Sequence, residues 1–490
     1  MVNKFFNKIV RNLESKDIFY RYYKNKYTYS DLKIFILKLS NILNFLPKKR
    51  NKICIISDKC FELYATSLGV VLTKNIWVPI STSSPELRIF EIIEELKPDL
   101  FIIQKISTLK MLRVKNYLKK KKIKFITFDE IKDSQSTTKI KVPRVENNDV
   151  SMIFFTSGST GKPKGVQISY KGFIHSLQQQ ISEIYKNQKK LVFGDYHDIS
   201  FIISLNILFP CIYLKGIISP GIDTKDILFP IDHAIQNNVN TLVTVPTTIN
   251  RVRNYYKKIS QKFKLKILIL CGEPFYYEML NYLYKKNFTK NIYNCYGSTE
   301  LSPWVFCYKF NKSDMNAIKN INIVPIGSAF KGVFLKIIDE ILYIGGSTLS
   351  LGYLNNHENK ESFKVIGNKN YYKTNDLVKL KEKKYFVLGR SDSIVKISGY
   401  RVELFEIEKK IRKIESVTNT YIFAKEIDKY EKYICACVES DSLTEIFVKN
   451  QLKKVLPNYM IPKQIKILKK FPINKNFKVN RVELKKTFYS

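Results

Sequence analysis

The segment Phe154–Val166 reads FFTSGSTGKPKGV, with hydroxyls and glycines alternating before two lysines that flank Pro163. Glycine lets backbone N–H groups approach a phosphate closely, hydroxyls add donors, and lysine supplies positive charge. Thr156, Ser157, Gly158, Ser159, Thr160, Gly161 and Lys164 are therefore candidate phosphate contacts. The run is not a Walker loop, because Gly158 stands too close to Gly161 and Lys162 for G-x-x-x-x-G-K. Zinc chemistry has no comparable support. The eight cysteines contain no C-x-x-C pair, and the four histidines do not cluster with them.

A phosphate loop needs a strand to present it, and MIFFT (Met152–Thr156) runs directly into this one. ICIIS (Ile53–Ser57), LFII (Leu100–Ile103), TLVTVP (Thr241–Pro246) and KILILCGE (Lys266–Glu273) also read as buried strands. Stretches of helical length separate them, which predicts an α/β fold with parallel sheets. From about Ile326 the strands become short and turn-rich, the texture of a barrel-like subdomain. Beyond Gly389 helical segments are expected at Glu403–Ile414 and Ser442–Val455. The expected division is a large N-terminal domain over 1–391 and a small α+β C-terminal domain over 392–490, since 490 residues exceed one ordinary core.

The net charge is +40, from 83 Lys+Arg against 43 Asp+Glu. The chain is equally crowded with Asn, Ile, Tyr and Phe, so the surplus reads as a general compositional bias. Runs such as Lys119–Lys122 then read as solvated faces, and no aromatic-interleaved basic motif points to nucleic acid. Free thiols suit a reducing cytoplasm. Met1–Val10 is followed by no apolar run, so no signal peptide is expected. The longest uncharged run, Ile199–Leu214, is interrupted by Asn206 and Pro210 and is short for a membrane span, so it is expected in the core.

The Phe154–Val166 segment resembles the phosphate loop of the acyl-adenylate-forming superfamily, which includes acyl-CoA synthetases, luciferases and the adenylation domains of nonribosomal peptide synthesis. The resemblance continues in order through IWVPISTSSPELRI (Ile76–Ile89), NCYGSTE (Asn294–Glu300), YKTNDL (Tyr372–Leu377) and GRSDSIVKISGYRVELFEIE (Gly389–Glu408). It ends in LPNYMIP (Leu456–Pro462) and NKNFKVNR (Asn474–Arg481). It implies ATP and Mg²⁺ as cofactors, activation of a carboxylic acid as its acyl-AMP, and transfer of the acyl group to a thiol. By position, Tyr296 would stack on adenine with Asn294 at its amino edge, and Thr299 would donate to the α-phosphate. Glu300 would hold the metal, while Asp376, assisted by Arg390, would accept both ribose hydroxyls. Lys478 matches the catalytic lysine, a mobile ammonium that bridges carboxylate and phosphate as charge builds between them. Its motif departs from the usual pattern at Phe477, where glycine is usual, and at Asn480, where aspartate is usual. Asp392 marks the expected hinge of the C-terminal domain.

The same resemblance narrows the substrate. HDIS (His197–Ser200) falls where amino-acid-activating members place an aspartate, so Asp198 would pair with an α-ammonium; His197 reads as packing. CGE (Cys271–Glu273) resembles the matching triplet of D-alanine–carrier-protein ligases. Cys271, Cys295, Pro303 and Trp304 would wall a small acyl pocket. The implied function is activation of a small amino acid, D-alanine leading, and its transfer to the phosphopantetheine thiol of a separate carrier protein. The sequence stops soon after the Lys478 motif, which places the acceptor on another molecule. Two rival readings are a ligase for a non-amino acid, opposed by Asp198, and a non-catalytic nucleotide-binding relative, opposed by Lys478, Glu300 and Asp376.

Replacing Lys478 by Ala should cut adenylation by about a hundred- to a thousandfold, the scale of one aimed transition-state donor. Transfer from preformed aminoacyl-AMP to the thiol should fall far less. An equal fall in both half-reactions, measured separately, would contradict the role.

Overall fold

The computed structural model of the chain describes residues 2–46, 50–104, 108–137, 139–140, 144–157, 162–246, 248–249, 264–355, 359–391, 394–428, 431–472 and 480–489. The chain packs as two units. The first comprises Met1–Thr82, Ile93–Phe155 and Gly165–Ser391, and the second comprises Ser83–Ile92, Thr156–Lys164 and Asp392–Ser490.

The apolar runs of the first unit become strands because only the interior of a sheet covered on both faces accepts them. Nine described strands form the largest sheet, in the order Ser328–Ala329, Trp304–Lys309, Ile292–Gly297, Ile267–Cys271, Thr241–Thr244, Val192–Asp195, Ile217–Pro220, Ile18–Tyr22 and Asn25–Thr28. The run from Ile292–Gly297 to Ile18–Tyr22 is parallel, and the strands outside it are antiparallel. A six-stranded sheet follows the order Lys124–Thr127, Leu100–Ile103, Lys52–Ile56, Ile76–Ile80, Val150–Ser157 and Pro163–Ser169. Its first four junctions are parallel. The carboxyl ends of parallel strands in an open α/β sheet are where ligands gather, and Asp198, Cys271, Thr299 and Glu300 lie at or just beyond such ends.

The turn-rich region is a five-stranded antiparallel sheet built from Val333–Ile338, Ile341–Gly346, Phe363–Ile366, Lys369–Lys381 and Lys384–Arg390. The uncharged run Ile199–Leu214 is interior, as expected: the helix Leu205–Tyr213 buries every residue from Leu205 to Ile212, with Pro210 inside it. No described helix is long and apolar enough to cross a membrane.

In the second unit a three-stranded sheet, Asn419–Glu426, Lys432–Glu439 and Gln464–Leu468, mixes antiparallel and parallel pairing. The helices Leu404–Arg412 and Glu445–Lys453 bury Ile407, Ile411, Val448 and Leu452 in a common core with Ile434, Ala436 and Val438. A hairpin, Ile394–Ile397 with Tyr400–Glu403, precedes the first of these helices. This is the α+β composition read from the sequence.

One glycine governs the end of the strand Ile292–Gly297. A Cβ built on Gly297 would lie 1.8 Å from the Pro303 carbonyl oxygen. Backbone meets backbone there, so no side chain can move aside. Gly297→Ala should cost about 1–3 kcal/mol or more, because the strand ladder must shift to admit a methyl group. Thermal inactivation at a lower temperature, together with lost pyrophosphate exchange, is the expected measurement; a variant with unchanged thermal stability would show that the turn can yield.

Candidate functional site

The strand Ile292–Gly297 and the turn after it carry most of the nucleotide candidates. Asn294 is buried and donates both amide hydrogens, to the Val324 and Pro325 carbonyls at 3.2 and 3.0 Å. Its carbonyl oxygen remains, an acceptor suited to an amino group. The Tyr296 ring packs edge-on to Phe306, and its hydroxyl donates to Asp376 Oδ2 at 2.5 Å. Asp376 is buried on the strand Lys369–Lys381, where its backbone N–H donates to the Thr374 hydroxyl at 3.0 Å. Arg390 is its registered partner on the neighbouring antiparallel strand. The structure thus brings the adenine and ribose candidates into direct hydrogen-bond contact.

Beyond Gly297, a short 3₁₀ turn Thr299–Leu301 buries Thr299 and Glu300 and ends at Ser302 in the left-handed region, φ 58°. The Tyr353 hydroxyl donates to Glu300 Oε1 at 2.9 Å. Tyr353 is held in turn by backbone pairing: Leu351 N–H donates to the Gln167 carbonyl, Gln167 N–H to Gly352, and Leu354 N–H to Gly165. A hard cation prefers carboxylate oxygen. Glu300, Thr299, Asp376 and the remaining acceptor of Asn294 are a donor and acceptor set that fits a nucleotide with its magnesium ion. Tyr353 is absent from the sequence reading. No local pattern marks it among 31 tyrosines.

Asp198 lies in the loop after the strand Val192–Asp195. Its Oδ1 accepts from the Ser200 backbone N–H at 2.9 Å and the Ser200 hydroxyl at 2.6 Å, and Oδ2 accepts from the Ser81 hydroxyl at 2.5 Å. An ionised carboxylate offers about four acceptor sites. Three neutral donors occupy three of them, which leaves one on Oδ2. His197 packs, as expected: its Nε2 is 3.1 Å from the Val243 carbonyl, and burial, the largest cause, pushes the ring down to about 4. A neutral imidazole therefore stands beside Asp198 at physiological pH.

Cys271, Cys295 and Cys307 form a row. Cys271 is in register with Cys295 on the adjacent parallel strand, and Cys295 with Cys307 on the antiparallel one. The Cys295 and Cys307 sulfurs are 3.6 Å apart. Burial raises the Cys295 thiol well above its ordinary range, which disfavours the thiolate that a nucleophile needs. Trp304 is buried in the same core cluster as Cys271 and Cys295, and its carbonyl accepts from the Ser176 hydroxyl at 2.8 Å. Pro303 precedes it, also buried.

Thr156 and Ser157 close the strand Val150–Ser157, and Lys164 is half-buried on Pro163–Ser169. Gly158, Ser159, Thr160, Gly161, Asp392 and Lys478 lie outside the described residues.

Residues 7–354 match the family profile described as AMP-binding enzyme. The D-alanine--D-alanyl carrier protein ligase of Staphylococcus epidermidis is 28% identical over 429 residues, covering 85% of each chain. Among solved structures, the Vibrio cholerae adenylation domain AlmE, in complex with glycyl-adenosine-5'-phosphate, superposes with a TM-score of 0.83 at 19% identity, covering 99% of this chain and 98% of that one. An artificially fused adenylation–PCP di-domain from Klebsiella oxytoca, NpsA-ThdA, gives 0.79 at 20% identity, covering 95% and 93%. These structures establish a shared fold.

The Tyr353–Glu300 bond generates a direct test. Tyr353→Phe removes one donor from a buried carboxylate, a loss of about 1.5–3 kcal/mol for a charged hydrogen bond. Adenylation should slow about ten- to a hundredfold on that scale, with the Mg²⁺ concentration for half-maximal rate displaced. An unchanged Mg²⁺ titration would separate Tyr353 from the metal site.

Proposed function

The chain belongs to the AMP-binding enzyme family and is an adenylate-forming ligase, and from that premise we propose that its substrate is a small amino acid, D-alanine foremost. The observation that carries the reading is the acceptor site left on Asp198 Oδ2 among the described residues, where the three donors to this carboxylate are all neutral. Asp198 is partly exposed and its three donors are neutral, and an α-ammonium would supply a cation and a further donor together. A deaminated acid supplies neither.

In the proposed reaction ATP provides the α-phosphate that the substrate carboxylate attacks, and pyrophosphate leaves. Asp198 anchors the ammonium so that the carboxylate points toward that phosphorus. Thr299 donates to the phosphoryl oxygens and Glu300, steadied by Tyr353, would hold Mg²⁺. Asp376 and Arg390 would hold the ribose, with Asn294 and Tyr296 at the adenine. Thr156 to Gly161 and Lys164 would cradle the phosphates, and Lys478 would bridge the two reacting groups. Cys271, Cys295, Pro303 and Trp304 would leave room for little beyond a methyl side chain. Movement of 392–490 about Asp392 would then admit the thiol of a separate phosphopantetheinylated carrier protein.

A carrier protein as acceptor is supported by the curated relatives, which are named D-alanyl carrier protein ligases, and by the fused adenylation–PCP neighbour. All eight cysteines are thiols rather than disulfides, which suits a reducing cytoplasm.

Asp198→Ala should lower kcat/KM for the amino acid about ten- to a hundredfold or more, the worth of a charge-assisted hydrogen bond, and should leave the deaminated acid unaffected. Chirality is read separately, by pyrophosphate exchange with D-alanine, L-alanine, glycine, D-serine and leucine. Preference for D-alanine supports the assignment. Preference for leucine would discard the small pocket, and activity with fatty acids alone would discard Asp198 as counter-ion.

A further inference from the structure

The roles above leave Lys59 without a purpose. Its side chain is 10% exposed, in the loop between the strand Lys52–Ile56 and the helix Phe61–Leu72. An ammonium taken out of water must be compensated on several sides. Lys59 Nζ donates to the Asp195 carbonyl at 2.8 Å and the Gly221 carbonyl at 3.5 Å, and it lies 3.5 Å from Asp195 Oδ1. Asp195, 1% exposed, also accepts from the Tyr64 hydroxyl at 2.6 Å and from the His197 N–H at 3.3 Å. Gly221 N–H donates to the Asp195 carbonyl at 2.9 Å.

Segments leaving three parallel strands thus converge on one ammonium: the loop after Lys52–Ile56, the end of Val192–Asp195 and the residue after Ile217–Pro220. Asp198 stands three residues beyond Asp195 on the loop pinned there. A compact ammonium can serve acceptors arriving from different directions, which a planar guanidinium cannot. We propose that Lys59 is a positioning residue for Asp198, fixing through its buried pair with Asp195 the loop that presents the substrate's counter-ion. The proposal rests on the reading of Asp198 given above, and it makes Lys59 and Asp195 determinants of amino-acid affinity that never touch the amino acid.

The test is steady-state pyrophosphate exchange with D-alanine and ATP varied separately. Lys59→Met/Asp195→Asn removes both charges together, so neither is left buried alone. It should raise the amino-acid KM about tenfold or more and leave the KM for ATP unchanged, the pattern of lost binding at one end of the site. Adding Asp198→Ala to this pair should cost little beyond Asp198→Ala alone, because residues acting through one group are not additive. Tyr64→Phe, a smaller lesion at the same carboxylate, carries the test if the paired variant does not fold; it should raise the amino-acid KM alone by about two- to fivefold. An unchanged amino-acid KM in a folded variant, an equal rise in the KM for ATP, or full additivity with Asp198→Ala would each overturn the proposal. If Asp198→Ala itself leaves the amino-acid KM unchanged, the assignment of Asp198 fails first and the role of Lys59 falls with it.

Discussion

A carboxylate keeps its charge inside a protein only where donors replace the water it has lost. The site is built around that requirement. Glu300 receives the hydroxyl of Tyr353, 53 residues away, and Asp376 that of Tyr296, 80 residues away. Asp198 receives Ser81 across 117 residues and Asp195 receives Tyr64 across 131. Each bond joins segments that only the finished fold brings together. These acids therefore find their donors only in the native arrangement.

The kind of donor separates two neighbouring acids. Asp198 is hydrogen-bonded by two serine hydroxyls and one backbone N–H, all neutral. Asp195 is paired with an ammonium. Three residues apart, one acid is met by neutral donors and the other by an ammonium. In a chain with 83 cationic side chains this distinction is not trivial, because an exposed aspartate would find a lysine in solution, and such pairs are worth little.

The sheets and the motif residues were legible in the sequence, and the partners of those residues were not. Strands buried on both faces leave continuous apolar runs, and LFII at Leu100–Ile103 matches its strand to the residue. KILILCGE was read to Glu273, whereas the strand stops at Cys271 because Gly272 turns to φ 81°. TLVTVP was read to Pro246 and ends at Thr244; apolar character there outlasts the hydrogen-bonded ladder. Asn294, Tyr296, Glu300 and Asp376 announced themselves through short ordered motifs. Tyr353, Tyr64 and Lys59 could not, since each acts across more than fifty residues and belongs to a type the chain uses everywhere. Long-range hydrogen bonds leave no local period to read.

The row Cys271, Cys295 and Cys307 shows how a packed line of side chains across a sheet can change over time. Its three members share one face only because the ladders on both sides of Ile292–Gly297 hold their register. Exchanging one sulfur for a residue of similar bulk would reshape the row locally and leave its neighbours in place. Inserting or deleting one residue in either ladder would turn a whole strand over and remove its contribution entirely. The antiparallel ladder already shifts register once, between Tyr296 and Gly297, beyond the Cys295–Cys307 pair. The row is thus far more open to revision by substitution than by a change of length between its paired cysteines.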